Sequence, residues 1–440
     1  MIQDKRIAML TLGCKVNQQE TASMLTLFTQ NGYSKTAFND QADVYLINTC
    51  TVTHLGDRKS RQMIRRAVQT NPQAVVVVTG CYAQSNATEV LAIPGVDIVI
   101  GTSDRARLPE LVEEARKSKG HLHANVINVV GDIMQAREFE EITSEPVQPG
   151  RVRAFLKIQE GCNQFCTYCI IPYTRGPVRS RLFDSIIQEA KSLTQAGFKE
   201  IVLTGIHTAA YGTEKPGGKD LADLVSELIL LPDLHRLRIS SIDPHEFGDK
   251  LLAVVAGSPK VCPHFHISLQ SGCDKTLLAM HRPYDTFFYK ELLRKLRKEI
   301  PNVTITTDIM VGFPGESAED FAKSMAFAEE MAFLNMHIFK YSPRSGTPAA
   351  NFPEQVSPEK KEERSKKLFS VAKRLWESYA EKYLDVTVEV LVEQQIDEDT
   401  WEGHTSDYIR AKVYSKDNLR GEIISVIVKE IGDGFLITAP

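Results

Sequence analysis

Short, β-branched apolar runs alternate with helix-patterned stretches twice along this 440-residue chain, and that alternation limits its fold more than any other feature. In the first series the runs are IAMLTLG (7–13), DVYLINT (43–49), AVVVVTG (74–80) and VDIVIG (96–101). Helix-like stretches lie at 18–31, 57–70, 84–92 and 105–117. Runs that are apolar at nearly every position suit strands covered on both faces, and strand–helix alternation builds a parallel sheet. An N-terminal open parallel α/β sheet domain is therefore expected.

The second series has strand candidates at 153–158, 200–205, 236–240, 264–270, 303–312 and 335–341, with helical segments at 184–196, 219–231, 246–256, 285–299 and 317–332. Six βα units of roughly 35 residues predict a partial (β/α)6 barrel rather than a closed eight-fold one. A long charged helix (358–384) follows. The runs TVEVLVE, YIRAKVY, EIISVIVKEI and GFLITA then predict a small C-terminal β-barrel of OB-like type. Residues 135–150, acidic with Pro and Gly and no apolar period, read as a linker. The expected division is 1–134, a linker at 135–150, a barrel at 151–375 and a β domain at 376–440.

Hydrophobic and charged shares of 42% and 25% are those of a soluble globular protein. No stretch approaches the roughly 18 apolar residues of a membrane span. The start MIQDKRIAMLTLGC is not a secretory signal, so a cytoplasmic protein without a membrane partner is expected. A net charge of −4 does not decide for or against a nucleic-acid partner, which must be argued from local patches.

Eight cysteines in a reducing compartment point to metal or catalysis rather than disulfides. Cys162, Cys166 and Cys169 form a C-x3-C-x2-C loop after the strand ending at Ile158, at the carboxyl mouth of the barrel where active sites collect. Three thiolates can hold a 4Fe-4S cluster and leave one iron for a chelating substrate. Zinc would call for a further ligand pair that this loop lacks. Cys14, Cys50 and Cys81 follow the first three strands, where ligands of open parallel sheets gather. Gly13 and Gly80 permit the tight turns this requires. A second three-cysteine cluster is expected there, the alternative being three small core residues. Cys262 and Cys273 match no partner spacing and read as structural.

The cluster loop, with Tyr168 before its last cysteine, resembles the radical S-adenosylmethionine superfamily. TLGCKVNQQE (11–20), INTCTVT (47–53), TGCYAQ (79–84), LTGIHTAAYG (203–212), HFHISLQSG (264–272), MHRPYDT (280–286) and DIMVGFPGE (308–316) resemble the methylthiotransferases over nearly the whole chain, with an end similar to a TRAM domain. Through Lys15, Val16 and Asn17 the opening is most similar to the branch acting on N6-threonylcarbamoyladenosine at position 37 of tRNA.

The resemblance implies two 4Fe-4S clusters. Cys162, Cys166 and Cys169 would make a radical from S-adenosylmethionine, Cys14, Cys50 and Cys81 would carry sulfur, and a separate S-adenosylmethionine would give the methyl group. It also implies a tRNA anticodon stem-loop as partner and an electron donor such as flavodoxin or ferredoxin. Methylthiolation of a ribosomal protein side chain or of isopentenyladenosine in tRNA is the same-family alternative. A radical enzyme for a small molecule and a non-catalytic iron–sulfur RNA-binding protein stand further off.

Strand ends nominate cofactor contacts: Tyr168 in the loop, Thr204 and Gly205, Ser240, Gln270, and Val311 and Phe313 beside Gly312. Strand-end packing is the alternative for each, and His207 and His281 read as structural. Phosphate binding needs clustered Lys and Arg. Candidates are Arg58, Lys59, Arg61, Arg65 and Arg66; Arg175, Arg179 and Arg181; and the basic residues of the long helix. From residue 384 onward, 5 Lys and Arg stand against 12 Asp and Glu, a net −7. An RNA contact there needs a local face, for which Tyr408 and Arg410, with Lys412 and Arg420, are the expected residues.

Overall fold

Val44–Thr49 and Val75–Gly80 are buried at every position, as central strands of a doubly covered sheet must be. They are β3 and β4 of a six-stranded parallel sheet that also contains β1 (Lys5–Thr11), β2 (Tyr33–Thr36), β5 (Ile98–Val99) and β6 (Ile127–Asn128), in the order β2-β1-β3-β4-β5-β6. Helices Lys15–Gln30, His54–Thr70 and Leu108–Ser118 supply the covering layers. One layer packs Ile64, Ala67 and Val90 on the sheet, and the other packs Met24, Phe28, Leu111 and Val112. The computed structural model describes residues 5–119, 126–142 and 151–439.

The chain divides into two compact units. The first comprises Met1–Gln148, Lys157–Leu182 and Arg344–Thr347, and the second Pro149–Leu156, Phe183–Pro343 and Pro348–Pro440. These units run differently from the expected division in two places. The cluster loop belongs to the unit built on the N-terminal sheet, and the terminal β domain shares a unit with the barrel strands. Within the expected linker, Glu140 and Glu141 are tied to Arg105 and Arg181 at 2.9 and 2.7 Å. Residues 143–150 lie outside the described residues, as does Pro440.

In the second unit β7 (Arg153–Lys157, through Leu156) is the first strand of the second series. The two-residue strands β8 (Gln159–Glu160) and β9 (Arg179–Ser180) that follow pair antiparallel in the first unit. β10 (Glu200–Thr204), β11 (Arg236–Ile239), β12 (His264–His266), β13 (Thr304–Val311) and β14 (Asn335–Lys340) complete six barrel strands. They form sheets β11-β10-β7 and β12-β13-β14, linked through parallel bridges Leu237 to Val261 and Ile242 to Ile267. The partial six-stranded barrel is thus the observed architecture. Helix Pro358–Ala380 turns Lys361 and Arg364 inward, onto Tyr341 O (2.9 Å) and Glu316 (2.7 Å). Its exposed Lys367 and Arg374 pair with Glu363 and Glu329.

A closed barrel β15-β16-β17-β19-β18 ends the chain, from β15 (Thr387–Gln395), β16 (Thr400–Thr405), β17 (Arg410–Tyr414), β18 (Ile423–Gly432) and β19 (Phe435–Thr438). Arg236 and Arg238, on β11, reach its carbonyls: Glu389 O at 3.0 Å, His404 O at 3.2 Å and Thr405 O at 3.4 Å. Both arginines and Arg153 surround fully buried Glu200, with Arg238 Nε 2.8 Å from its carboxylate. Burial alone would raise this carboxyl, but Arg238, Arg153 and Arg236 outweigh it and hold it below the usual range. A depressed carboxyl contributes stability that is present above the unfolded value of about 4.3 and lost as pH falls through the folded value. Thermal midpoints measured from pH 6 to 3 are therefore expected to drop below about pH 4, and less steeply for Glu200→Gln. Equal slopes would show that the Glu200 cluster does not contribute.

Candidate active site

In the first unit the carboxyl ends of β1, β3 and β4 lead directly into Cys14, Cys50 and Cys81. Gly13 (φ +102°) shows how close the first two turns are: a Cβ there would meet Cys50 Cβ at 2.9 Å and Sγ at 3.1 Å. Gly80 (φ +94°) is equally constrained, since a Cβ would fall 2.5 Å from Thr49 O. Asn17 ties the turns together, its Nδ2 donating to Leu12 O (2.8 Å) and Thr49 O (3.0 Å). The thiols range from exposed Cys14 through partly buried Cys50 to buried Cys81. Burial pushes the Cys81 thiol up to about 11 against the pull of Arg175, with Cys14 and Cys50 near enough to add to the rise. Three soft thiol donors gathered at one sheet edge, with no carboxylate hydrogen-bonded to them among the described residues, fit an iron–sulfur group.

The C-x3-C-x2-C loop is closed by its own backbone. Cys162 N–H donates to Gly176 O (3.0 Å) and Cys169 N–H to Cys166 O (2.9 Å). Cys166 is buried, while Cys162 and Cys169 are partly exposed. Tyr168 is half-buried in this loop.

Arg175, in the short helix Ile171–Arg175 after the loop, was expected to face RNA, and the structure corrects this. Its side chain is fully buried; Nε donates to Cys81 Sγ at 3.1 Å and Nη2 to Asn17 Oδ1 at 2.5 Å. Nη1 lies 2.6 Å from Glu20 and 3.2 Å from Glu160. Lys157 bridges the same two carboxylates, and Arg105 adds a third cation to Glu20 at 2.8 Å. Burial alone would raise Glu20; Arg105, Arg175 and Lys157 reverse this and keep it well below the carboxylate range. Arg179 and Arg181 are also buried, donating to Pro177 O (2.8 Å) and Glu141 (2.7 Å). None of the three offers charge to a phosphate. Arg58, Lys59, Arg65 and Arg66 do remain exposed, on the helix that follows Cys50.

In the second unit the nominated cofactor residues line up at strand ends. Thr204 ends β10 and is buried, and Gly205 follows it. Ser240 follows β11, its Oγ 2.9 Å from Thr208 Oγ1. Gln270 (φ +67°) donates its N–H to Asp308 O at 2.8 Å. Val311 and Phe313 have buried side chains, and Phe313 packs edge-on against Tyr341 and Phe352. His207 is engaged by Glu246 at 2.7 Å, and Cys262 and Cys273 are buried. Tyr408 is also corrected as an RNA contact: it is stacked between His264 (4.5 Å) and His404 (5.0 Å), with Arg238 over its ring. Arg410 is exposed but paired with Glu402 at 2.5 Å. The residues missed from sequence are the buried partners Glu20, Glu160, Asn48 and Arg344, the last bonding Thr51 and Asp57 beside Cys50 at 2.8 and 2.6 Å.

Residues 6–101 match the family described as Uncharacterized protein family UPF0004, and residues 156–328 match the Radical SAM superfamily. The threonylcarbamoyladenosine tRNA methylthiotransferase MtaB of Bacillus subtilis is 43% identical over 97% of this chain and 94% of its own length. That of Aquifex aeolicus is 41% identical over 86% and 90%. The tRNA-2-methylthio-N(6)-dimethylallyladenosine synthase of Bacillus subtilis is 36% identical over 87% and 75%. Among solved structures, the radical S-adenosylmethionine methyltransferase TsrM from Kitasatospora setae shares the fold at a TM-score of 0.57, with 13% identity over 79% and 77% of the two chains.

Proposed function

Because the chain belongs to the radical SAM tRNA methylthiotransferases of the threonylcarbamoyladenosine branch, we propose that it places a methylthio group on carbon 2 of N6-threonylcarbamoyladenosine at position 37 of tRNA. The observation that carries the reading is the gathering of Cys14, Cys50 and Cys81 at three strand ends, in the unit that also holds the Cys162–Cys166–Cys169 loop. The reading assigns one 4Fe-4S group to each set of three thiolates. When bound, these groups and S-adenosylmethionine supply the electron that opens the sulfonium and the sulfur that is inserted, chemistry no side chain offers.

The chain's own residues bind and orient. Arg175 and Asn17 fix the Cys81 and Cys14 turns, and the Arg175 N–H donor facing Cys81 favours its thiolate form. Thr204, Ser240 and Gln270 offer hydroxyl, amide and backbone groups for the amino, carboxylate and ribose groups of S-adenosylmethionine. A low-potential carrier such as flavodoxin or ferredoxin supplies the electrons, and the protein works in the cytoplasm. Among the described residues no helix is long and apolar enough to cross a membrane.

The RNA-facing charge is assigned to Arg58, Lys59, Arg65 and Arg66 in place of the buried arginines. Replacing these four with Ser is expected to weaken tRNA binding and flatten the slope of log K against log salt by about 3 to 4. An unchanged slope would remove them from the interface. The function itself is tested by nucleoside mass spectrometry of threonylcarbamoyladenosine-bearing tRNA after anaerobic incubation with S-adenosylmethionine and reductant. The methylthio derivative is expected; a methylthiolated ribosomal peptide beside unmodified tRNA would overturn the reading.

A further inference from the structure

Three neighbouring strands of the second unit each contribute one ligand-type side chain to a single cluster. They are His266 on β12, Asp308 on β13 and His337 on β14, with Asp308 and His337 directly in register. His266 Nε2 lies 3.1 Å from Asp308 Oδ2, and His337 Nδ1 lies 3.2 Å from Asp308 Oδ1. The imidazoles stack at a centroid distance of 5.2 Å and an angle of 28°. One donor atom from each residue falls within 4.8 Å of the other two. A tetrahedral ion with bonds of about 2.0–2.2 Å needs its donors roughly 3.3–3.6 Å apart, so small rotations seat an ion among all three.

The surroundings prepare the same geometry. His266 Nδ1 is 3.0 Å from Thr306 Oγ1, which also meets His264 Nε2 at 3.0 Å. That contact fixes the ring plane and leaves Nε2 directed at Asp308, the outer-shell arrangement that orients metal-bound imidazoles. Ser268 Oγ reaches Asp308 Oδ2 at 3.4 Å. His266 is buried whereas the His337 side chain is 56% exposed, so an ion would enter from that side and keep a position for water. Two imidazoles and one carboxylate suit a borderline transition metal better than calcium or magnesium, which favour all-oxygen shells.

We propose that His266, Asp308 and His337 form a mononuclear site for one divalent transition-metal ion, zinc by preference, separate from the six cluster cysteines. The ion pins β14, the last strand of its sheet, to β13 and β12.

The test uses the full chain carrying its iron–sulfur groups, dialysed anaerobically against micromolar zinc, with zinc and iron counted by mass spectrometry. About one zinc per chain is expected, with iron unchanged. Asp308→Asn and His337→Ala lose that zinc, and exposed His235→Ala keeps it. Thr306→Val weakens zinc roughly 10–100-fold. Zinc raises the thermal midpoint of the parent chain but not of His337→Ala, whose exposed position spares the fold. No zinc retained, equal zinc in all variants, or zinc gained only as iron is lost would each overturn the site.

Discussion

Replacing Cys14, Cys50 and Cys81 together with alanine is expected to lower the iron of the reconstituted protein from about eight per chain to about four. Thiolates are what hold such clusters, and each of these three closes one parallel strand at the same sheet edge. The Cys162, Cys166 and Cys169 loop keeps its own backbone closures, Cys162 to Gly176 and Cys169 to Cys166, which do not depend on those thiols. The remaining iron should therefore still bind S-adenosylmethionine and cleave it, while no methylthio nucleoside forms. Iron analysis with electron paramagnetic resonance reads both outcomes. About four irons in the parent chain, undiminished in the triple variant, would sink the two-cluster account.

Arg175→Met is expected to be the most damaging single substitution outside the cysteines. The buried carboxylates of Glu20 and Glu160 are compensated by Arg175, Lys157 and Arg105, and removing one cation leaves charge buried without its partner. Breaking such a buried pair costs about 3–5 kcal/mol. For a unit of this size that is a fall of roughly 10 °C in the thermal midpoint. Arg175→Lys keeps the charge but loses the planar fork that reaches Asn17, Glu20 and Cys81 together, and should fall between. Midpoints within a degree of the parent for Arg175→Met would mean the network carries little of the unit's stability.

The sequence made the strands, the partial barrel and the six cysteines legible because each leaves a local signature: apolar runs, spacing and strand-end position. β2 (YSKT) and β6 escaped notice because they are short edge strands with polar or few residues. β16 (TWEGHT) hides behind Gly403, where a Cβ would fall 2.1 Å from Leu391 O, so close packing demands a residue that reads as a turn. The helix expected at 84–92 is two short pieces meeting at Asn86. Arg175, Arg179 and Arg181 were misread because a run of arginines looks the same whether it faces phosphate or buried carboxylates. Only the distant acids Glu20, Glu141 and Glu160 decide between these, and no local pattern links them. Tyr408 was misread for a related reason: its stacking partners, His264 and His404, come from different elements.

One reaction tests the central claim most directly. Equal amounts of tRNA bearing N6-threonylcarbamoyladenosine and tRNA bearing N6-dimethylallyladenosine are incubated together, without oxygen, with the reconstituted chain, S-adenosylmethionine and a reductant, and the nucleosides are weighed by mass spectrometry. The account predicts a methylthio group on the threonylcarbamoyl nucleoside, with the dimethylallyl nucleoside unchanged. Methylthiolation of the dimethylallyl nucleoside alone, or of neither while S-adenosylmethionine is still cleaved, would contradict it.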